Sequence, residues 1–463
     1  MSERFDVVVV GSGSSGGVLA ARLSEDASRS VCLVEAGPDF PREAEAAPSF
    51  YAGGGYFGFS PVWEHDWGYA SEPLPWGRVI PIPRGRLMGG SSMTNGTLCV
   101  RGAPFDFARW ETLGATGWGW DAVRPCYEAV EREIPLKTYP RRGWQPAQEA
   151  FAAALEERGF RWHDEMNGPD AWHGTLGPGP FNRLDEQRQG TLPTYLRRAR
   201  GRANLVLRPD TLVDRVLLRD GRAQGVRAIG RDGKPYELAA GLVVLAAGAI
   251  GTPAILLRSG IGPPAELRAL GIEPVHDLPV GKRLHDHSTC AFRFEAPHLA
   301  DVCSPNSSVI ARDPDDSWLA VAYASAEGRE CCFTFVMTDD PGLGEVTLAS
   351  ADPTAAPRIR LHYELDGYTP CWELALELLG DRRFAGARPA AGSLPDVLRD
   401  GITTGHHAAG TCGIGRVVAP DLRVLGLEGL AVADASIFPA HVSNNPNHTC
   451  FMIGERAAQL LGS

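Results

Sequence analysis

The chain begins with a change of texture every few residues. Phe5 to Val10 is an unbroken apolar, β-branched run, as expected of a strand buried on both faces. A glycine-serine stretch, 11–17, separates it from Val18 to Leu23, which predicts a helix, and a second apolar run spans Val31 to Glu35. Strand, glycine turn, helix and strand in that order predict a βαβ unit. From Pro38 to Pro83 the periodicity is lost among prolines, three consecutive glycines (53–55) and many aromatics from Tyr51 to Trp76. The stretch 41–83 reads as a surface loop packed by its own side chains or as a lid over a site.

Further along, residues 84–102 are Gly-rich and apolar, and Trp118 to Glu133 has the pattern of an amphipathic helix. Leu205 to Val226 predicts strands joined by a turn at Asp220-Gly221, and Leu242 to Ala247 a buried strand followed by a helix from Pro253 to Arg258. Residues 291–365 alternate short strands with turns, and Glu373 to Leu379 predicts a helix. Residues 406–463 predict two short strands and a closing helix from about Thr449. No internal repeat or low-complexity tract interrupts this order.

A length of 463 residues allows two or three domains and a large core, so no disulfide or metal is needed for folding. The balance of 45 basic against 56 acidic residues argues against a nucleic-acid partner, which needs a basic face. Only Lys137, Lys234 and Lys282 are lysines, a bias that fits G+C-rich codon usage better than a need for guanidinium. No apolar run approaches the ~20 residues of a membrane span, which leaves peripheral membrane contact open. The N-terminus lacks the basic and apolar regions of a signal peptide. Ten scattered cysteines without a Cys-x-x-Cys predict reduced thiols and a cytoplasmic location.

Four segments carry candidate chemistry. Gly11-x-Gly13-x-x-Gly16 closes the first strand, with Ser14 and Ser15 inside it, and Glu35 ends the second strand. In a dinucleotide site the first glycine allows the turn and the second allows close approach to the pyrophosphate. The third lets helix and strand pack, and the acid accepts the ribose hydroxyls. The segment from Leu242 to Pro253, with Ala247 and Gly248 at its turn, is similar to the one that returns to the cofactor in two-dinucleotide-fold flavoproteins, which favours FAD over NAD. Arg86, Gly89, Gly90, Ser91 and Asn95 lie in a Gly/Ser loop whose backbone N–H groups can cradle phosphate or flavin edges. The C-terminal stretch holds His406-His407, Asp434-Ala435 and Asn444-Asn445-Pro446-Asn447-His448. His285 and His287 lack a metal-site spacing, and no metal is expected.

These segments together resemble the glucose–methanol–choline (GMC) flavoprotein oxidoreductases. The matching runs are 66–73, 84–96, 248–262, 280–287, 344–353 and 407–457, in the family's order. The resemblance implies an α/β fold: a Rossmann-like FAD-binding domain of the two-dinucleotide-fold type, with an α+β substrate domain on a largely antiparallel sheet. It implies a discontinuous FAD domain from 1–40, 84–104, 205–290 and 405–463, and a shortened substrate domain from 105–204 and 291–404. His407 matches the family's catalytic histidine, and Asn445 the second active-site position of a His/Asn subgroup that includes choline oxidases. Val213 matches a backbone contact to adenine, and Asp434, Ala435 and Pro446 match further FAD neighbours. Thr94 stands where some members carry a histidine covalently joined to FAD, so non-covalent FAD is expected.

The implied reaction is oxidation of an alcohol by hydride transfer to flavin N5. His407 is then the base and Asn445 the hydrogen-bond partner. The donor would be a primary alcohol such as choline, or a redox carrier of the mycofactocin type, since short, arginine-rich relatives associated with that cofactor look similar. The acceptor would be oxygen, a quinone or a respiratory component. The alternative is a lyase of the same fold with a redox-passive FAD.

Overall fold

A computed structural model of the chain describes residues 3–41, 63–299, 308–324, 330–339, 342–389 and 392–462. The chain starts as expected, with β1 (Glu3–Val10), helix α1 (Ser14–Leu23) and β2 (Val31–Val34). Four buried valines, Val7–Val10, make β1 a central strand, since both its faces are covered. After a long excursion come β3 (Leu205–Arg208), β4 (Leu212–Arg219), β5 (Arg222–Ile229) and β6 (Pro235–Leu245). The sheet order is β4-β5-β6-β1-β2-β3, with Leu430–Val432 also paired to β6. The pairs β6–β1, β1–β2 and β2–β3 are parallel, while β4, β5 and β6 form an antiparallel meander. Asp220 and Gly221 make the tight β4–β5 turn with φ of +50° and +74°, which matches the twist of the strands it joins.

A second sheet is largely antiparallel. Its centre is β7 (Ser288–Glu295), β8 (Trp318–Ala324) and β9 (Glu330–Met337), in the order β7-β9-β8. Phe292, Phe294, Phe333 and Phe335 belong to one buried core with the helix Pro146–Glu157, where Phe151 stacks on Phe333 at 5.5 Å. The first sheet has a separate core. The α/β fold class is therefore the expected one, with a Rossmann-like sheet and a second antiparallel sheet.

Several element boundaries differ from the sequence reading for local reasons. Helix α2 (Gly248–Arg258) begins five residues before Pro253. Proline in a helix interior frees the carbonyl four residues earlier, and here Thr411 Oγ1 donates to the Ala249 carbonyl at 2.7 Å. The closing helix α3 (Pro446–Leu461) begins at its proline rather than at Thr449, because the first helical position tolerates a missing N–H. Within the described part of 406–463 there is one strand, Leu430–Val432, and the rest of the pairing is isolated bridges. Of the stretch 41–83, residues 42–62 lie outside the described residues, so the lid expectation falls there. Residues 69–82 form a short hairpin, Tyr69–Ala70 with Pro81–Ile82. Nine described cysteines are free thiols, and no described helix is long and apolar enough to cross a membrane.

Candidate active site

The C-terminal ends of β1, β2 and β6 open into a cavity of about 800 Å³, closed on its far side by the second sheet. A crevice at the carboxyl ends of parallel strands is where open α/β sheets bind ligands. The first two fingerprint glycines line it, and the third does not. A Cβ on Gly13 would meet nothing within 4 Å, so backbone at this point borders open space. A Cβ on Gly16 would come within 2.0 Å of the Gly11 carbonyl oxygen, so Gly16 serves helix–strand packing.

Glu35 is buried at the end of β2. It accepts from Ser12 N (3.1 Å), Ser12 Oγ (2.7 Å) and Gly37 N (3.0 Å). Burial holds its carboxyl above the usual carboxylate range, and these donors offset only part of that rise. Ser12, which the sequence reading passed over, also accepts from Gly89 N at 2.9 Å and so ties the Gly/Ser loop to the fingerprint. At the N-terminus of α1, Ser14 Oγ donates to Asn447 Oδ1 at 2.6 Å. The Nδ2 of Asn447 is buried, belongs to a cavity-lining residue and has no partner among the described residues. An orphaned donor beside a helix N-terminus fits the pyrophosphate of a dinucleotide.

Of the other expected cofactor residues, Ser15, Gly90, Ser91, Asn95, Val213, Ala247, Gly248, Asp434, Ala435 and Pro446 line the same cavity. Asp434 accepts from Gly248 N (2.8 Å), Thr252 Oγ1 (2.6 Å) and Ser436 N (2.8 Å), which fixes the start of α2. Gly89 and Arg86 do not line the cavity. Gly89 takes φ +93° in the turn before Gly90, and Arg86 is exposed with its guanidinium over the Trp67 ring at 5.1 Å.

His407 and Asn445 meet in this cavity. Asn445 occupies the N-cap of α3 but makes no side-chain cap bond, although asparagine is among the best capping residues. Its Nδ2 lies instead 3.1 Å from His407 Nε2. An amide N–H can only donate, so Nε2 carries the lone pair and the His407 proton sits on Nδ1. That Nδ1 lies 2.9 Å from His287 Nδ1. The backbone of His407 is held as well: its N–H donates to Asp286 Oδ1 (2.9 Å) and its carbonyl faces His441 Nε2 (2.7 Å). His406 beside it adopts φ +63°. Burial, then His441, His406 and Arg84, push the His407 imidazole well below its ordinary range. It is therefore neutral near pH 7, and its Nε2 lone pair, which accepts from Asn445, is the site that can take a proton.

His287, weighed above with His285 as a metal ligand, instead packs its ring 3.7 Å from that of His441. Among the described residues no cluster of three His, Cys, Asp or Glu is arranged to hold a metal ion. Asp106 was not anticipated either. It accepts from Ser443 N (3.0 Å) and Ser443 Oγ (2.7 Å), two residues before Asn445. The two residues are 337 apart in the chain, so no local signal could have paired them.

Comparison with known proteins agrees with this geometry. GMC oxidoreductase family profiles match residues 5–289 and 341–454. The chain is 31% identical over 538 residues to the oxygen-dependent choline dehydrogenase of Rhizobium rhizogenes (strain K84), covering 98% of this chain and 94% of that protein. A choline dehydrogenase of Klebsiella pneumoniae (strain 342) is 30% identical over 544 residues, covering 99% and 96%. These aligned lengths exceed 463 residues, so this chain lacks internal segments that its relatives carry. Among solved structures, pyridoxine 4-oxidase from Mesorbium loti superposes with a TM-score of 0.87 at 26% identity, over 98% of each chain. Formate oxidase from Aspergillus oryzae RIB40, at 22% identity, shares the fold, with a TM-score of 0.89 over 99% of this chain and 98% of that one. By sequence profile, fold and cofactor cavity alike, the chain belongs to the GMC oxidoreductase family, FAD-dependent enzymes that act on CH–OH donors.

Proposed function

We propose that the protein oxidises a primary alcohol, with His407 as base and Asn445 as the partner that orients the reacting oxygen. The observation that carries this is the 3.1 Å approach of Asn445 Nδ2 to the lone-pair nitrogen of a neutral, buried His407. A hydroxyl that replaces this direct contact would give its proton to His407 Nε2 while its oxygen accepts from Asn445 Nδ2. Bound FAD supplies the hydride acceptor. The fingerprint residues, Glu35 and Asn447 would hold its dinucleotide half, and Gly90, Ser91, Asn95 and the Asp434–Pro446 region its flavin half. Val213 would meet the adenine. Thr94 offers no side chain for a covalent flavin link, so the cofactor would be held non-covalently.

The proposed division assigns 1–40, 84–104, 205–290 and 405–463 to the FAD domain, and 105–204 with 291–404 to the substrate domain. The donor would be a small alcohol or the alcohol form of a larger redox carrier, and the acceptor oxygen, a quinone or a respiratory component. The test is an anaerobic screen of the purified, FAD-loaded protein against primary alcohols, choline and reduced carriers, read as bleaching of the yellow flavin absorbance. Bleaching by an alcohol is expected. A flavin that stays oxidised under every donor while the protein cleaves a cyanohydrin would favour the lyase alternative.

A further inference from the structure

The wall facing His407 and Asn445 is one face of the second sheet, and its sequence can be read from the strand register. Across β7 and β9, Thr289 pairs with Val336 and Ala291 with Thr334; across β9 and β8, Thr334 pairs with Val321. Side chains alternate along a strand, so these residues and Tyr323 share a face, and all of them line the cavity. The opposite face carries the phenylalanines of the core. This wall stands directly beside the base: a Cβ on Gly405 would meet His407 Nδ1 at 3.0 Å and Thr289 Oγ1 at 3.1 Å. The wall offers methyl groups and three hydroxyls, from Thr289, Thr334 and Tyr323, and no carboxylate.

The remaining charges around the cavity point the same way. Of the described carboxylates that line it, Glu35 and Asp434 are each committed to three donors, and Asp400 is exposed. Four arginines line it, Arg78, Arg84, Arg258 and Arg293; Arg258 is paired with Asp214 (3.4 Å) and Arg293 with Glu330 (3.2 Å), so the excess positive charge rests on Arg78 and Arg84. Arg84 bonds the Pro83 carbonyl (3.1 Å) and makes no ion pair among the described residues, although the Asp286 and Asp66 carboxylates offset part of its charge from beyond salt-bridge distance. The aromatic faces are also engaged. Trp67 lies under Arg86 and stacks on Tyr69, and Phe181 lies under Arg183. The remaining aromatic among the described lining residues is Tyr323, whose hydroxyl meets Thr334 Oγ1 at 3.4 Å, and one ring makes no cage for a quaternary ammonium. A cation buried here would lose its water and gain like-charged neighbours.

We infer that the donor is an uncharged alcohol with an apolar body, laid on the β7–β9–β8 face, and not a cationic amino alcohol such as choline. This rests on the alcohol-oxidation reading above. Thr289 and Thr334 are the polar groups placed to meet a second oxygen on such a donor. Val321, on β8 opposite Thr334, is a specificity-determining position.

The experiment is anaerobic flavin reduction by the wild-type holoenzyme with three donors. These are choline, the alcohol in which carbon replaces choline's quaternary nitrogen, and benzyl alcohol. The first two have the same shape and differ in charge. The neutral isostere should reduce the flavin with an apparent second-order constant at least ~10-fold above that of choline. Val321→Glu, which places a carboxylate on the wall, should shift that ratio toward choline by at least ~10-fold. Choline equal to or faster than its isostere in the wild type overturns the inference and leaves alcohol oxidation standing. No bleaching by any of the three overturns the alcohol-oxidation reading, and this inference with it.

Discussion

Asn445 Nδ2 lies 3.1 Å from His407 Nε2, and it does so from the N-cap of α3, a position whose usual side-chain bond it forgoes. A capping asparagine contributes about 1 kcal/mol to helix stability, so withholding that bond leaves the amide free for the site. Asn445→Ala should therefore leave the melting temperature almost unchanged. It should slow flavin reduction by ~10–100-fold, the equivalent of the about 1.5–3 kcal/mol carried by a hydrogen bond to a charged group. Stopped-flow absorbance together with a thermal melt checks both halves. A destabilised variant with an unaltered rate would show that Asn445 is a cap after all.

The electrostatics of His407 give a pH dependence. Its folded pKa is depressed, first by burial and then by His441, His406 and Arg84. An ordinary imidazole is half protonated near pH ~6.5. A depressed value keeps the base unprotonated below that point, so the rate of flavin reduction should stay flat from about pH 8 to about pH 6 and fall only in more acidic solution. A rate already halved near pH 7 by a single protonation would contradict the burial argument.

Two of the three fingerprint glycines, Gly13 and Gly16, make opposite predictions. A Cβ at Gly13 meets no protein atom within 4 Å, so Gly13→Val should fold and lose FAD, seen as a colourless protein with a native circular dichroism spectrum. Gly16 packs against the Gly11 carbonyl, and Gly16→Val should fail to accumulate as folded protein. Two variants that behave alike would mean that the open space at Gly13 is not the dinucleotide site.

Asp106 tests how the site is held. It accepts two bonds from Ser443 and one from Ala103 N at 2.7 Å. Removing the carboxylate in Asp106→Ala strands these donors, at a cost of about 2–4 kcal/mol in unfolding free energy. Because Ser443 leads into Asn445, flavin reduction should slow as well, while FAD affinity stays within about threefold. Urea unfolding, flavin titration and stopped flow separate the three effects. A loss of FAD affinity as large as the loss of rate would argue against a positioning role.

The βαβ unit and its cofactor were legible because everything they need is local: an apolar run, glycines at fixed spacing and an acid at the end of the next strand. The proposed catalytic pair was legible only through family resemblance, since His407 and Asn445 are 38 residues apart and lie in loop-like sequence. Other features depend on contacts that sequence does not display. Pro253 reads as a helix start, yet it is tolerated inside α2 because Thr411 reaches the freed carbonyl from a distant segment. Arg86 sits among loop residues that line the cavity but turns away to cover Trp67. The charge of the substrate wall became readable only once the register set which residues of β7, β8 and β9 share a face.

The central claim is that His407 takes the hydroxyl proton as the alcohol is oxidised. Its most direct test is anaerobic stopped-flow reduction of the FAD-loaded wild type and of His407→Ala with the same alcohol, each confirmed to hold FAD. The wild type should bleach, and the variant should do so at least ~100-fold more slowly. A variant that bleaches at near wild-type rate would contradict the assignment of the base and, with it, the role given to the His407–Asn445 pair.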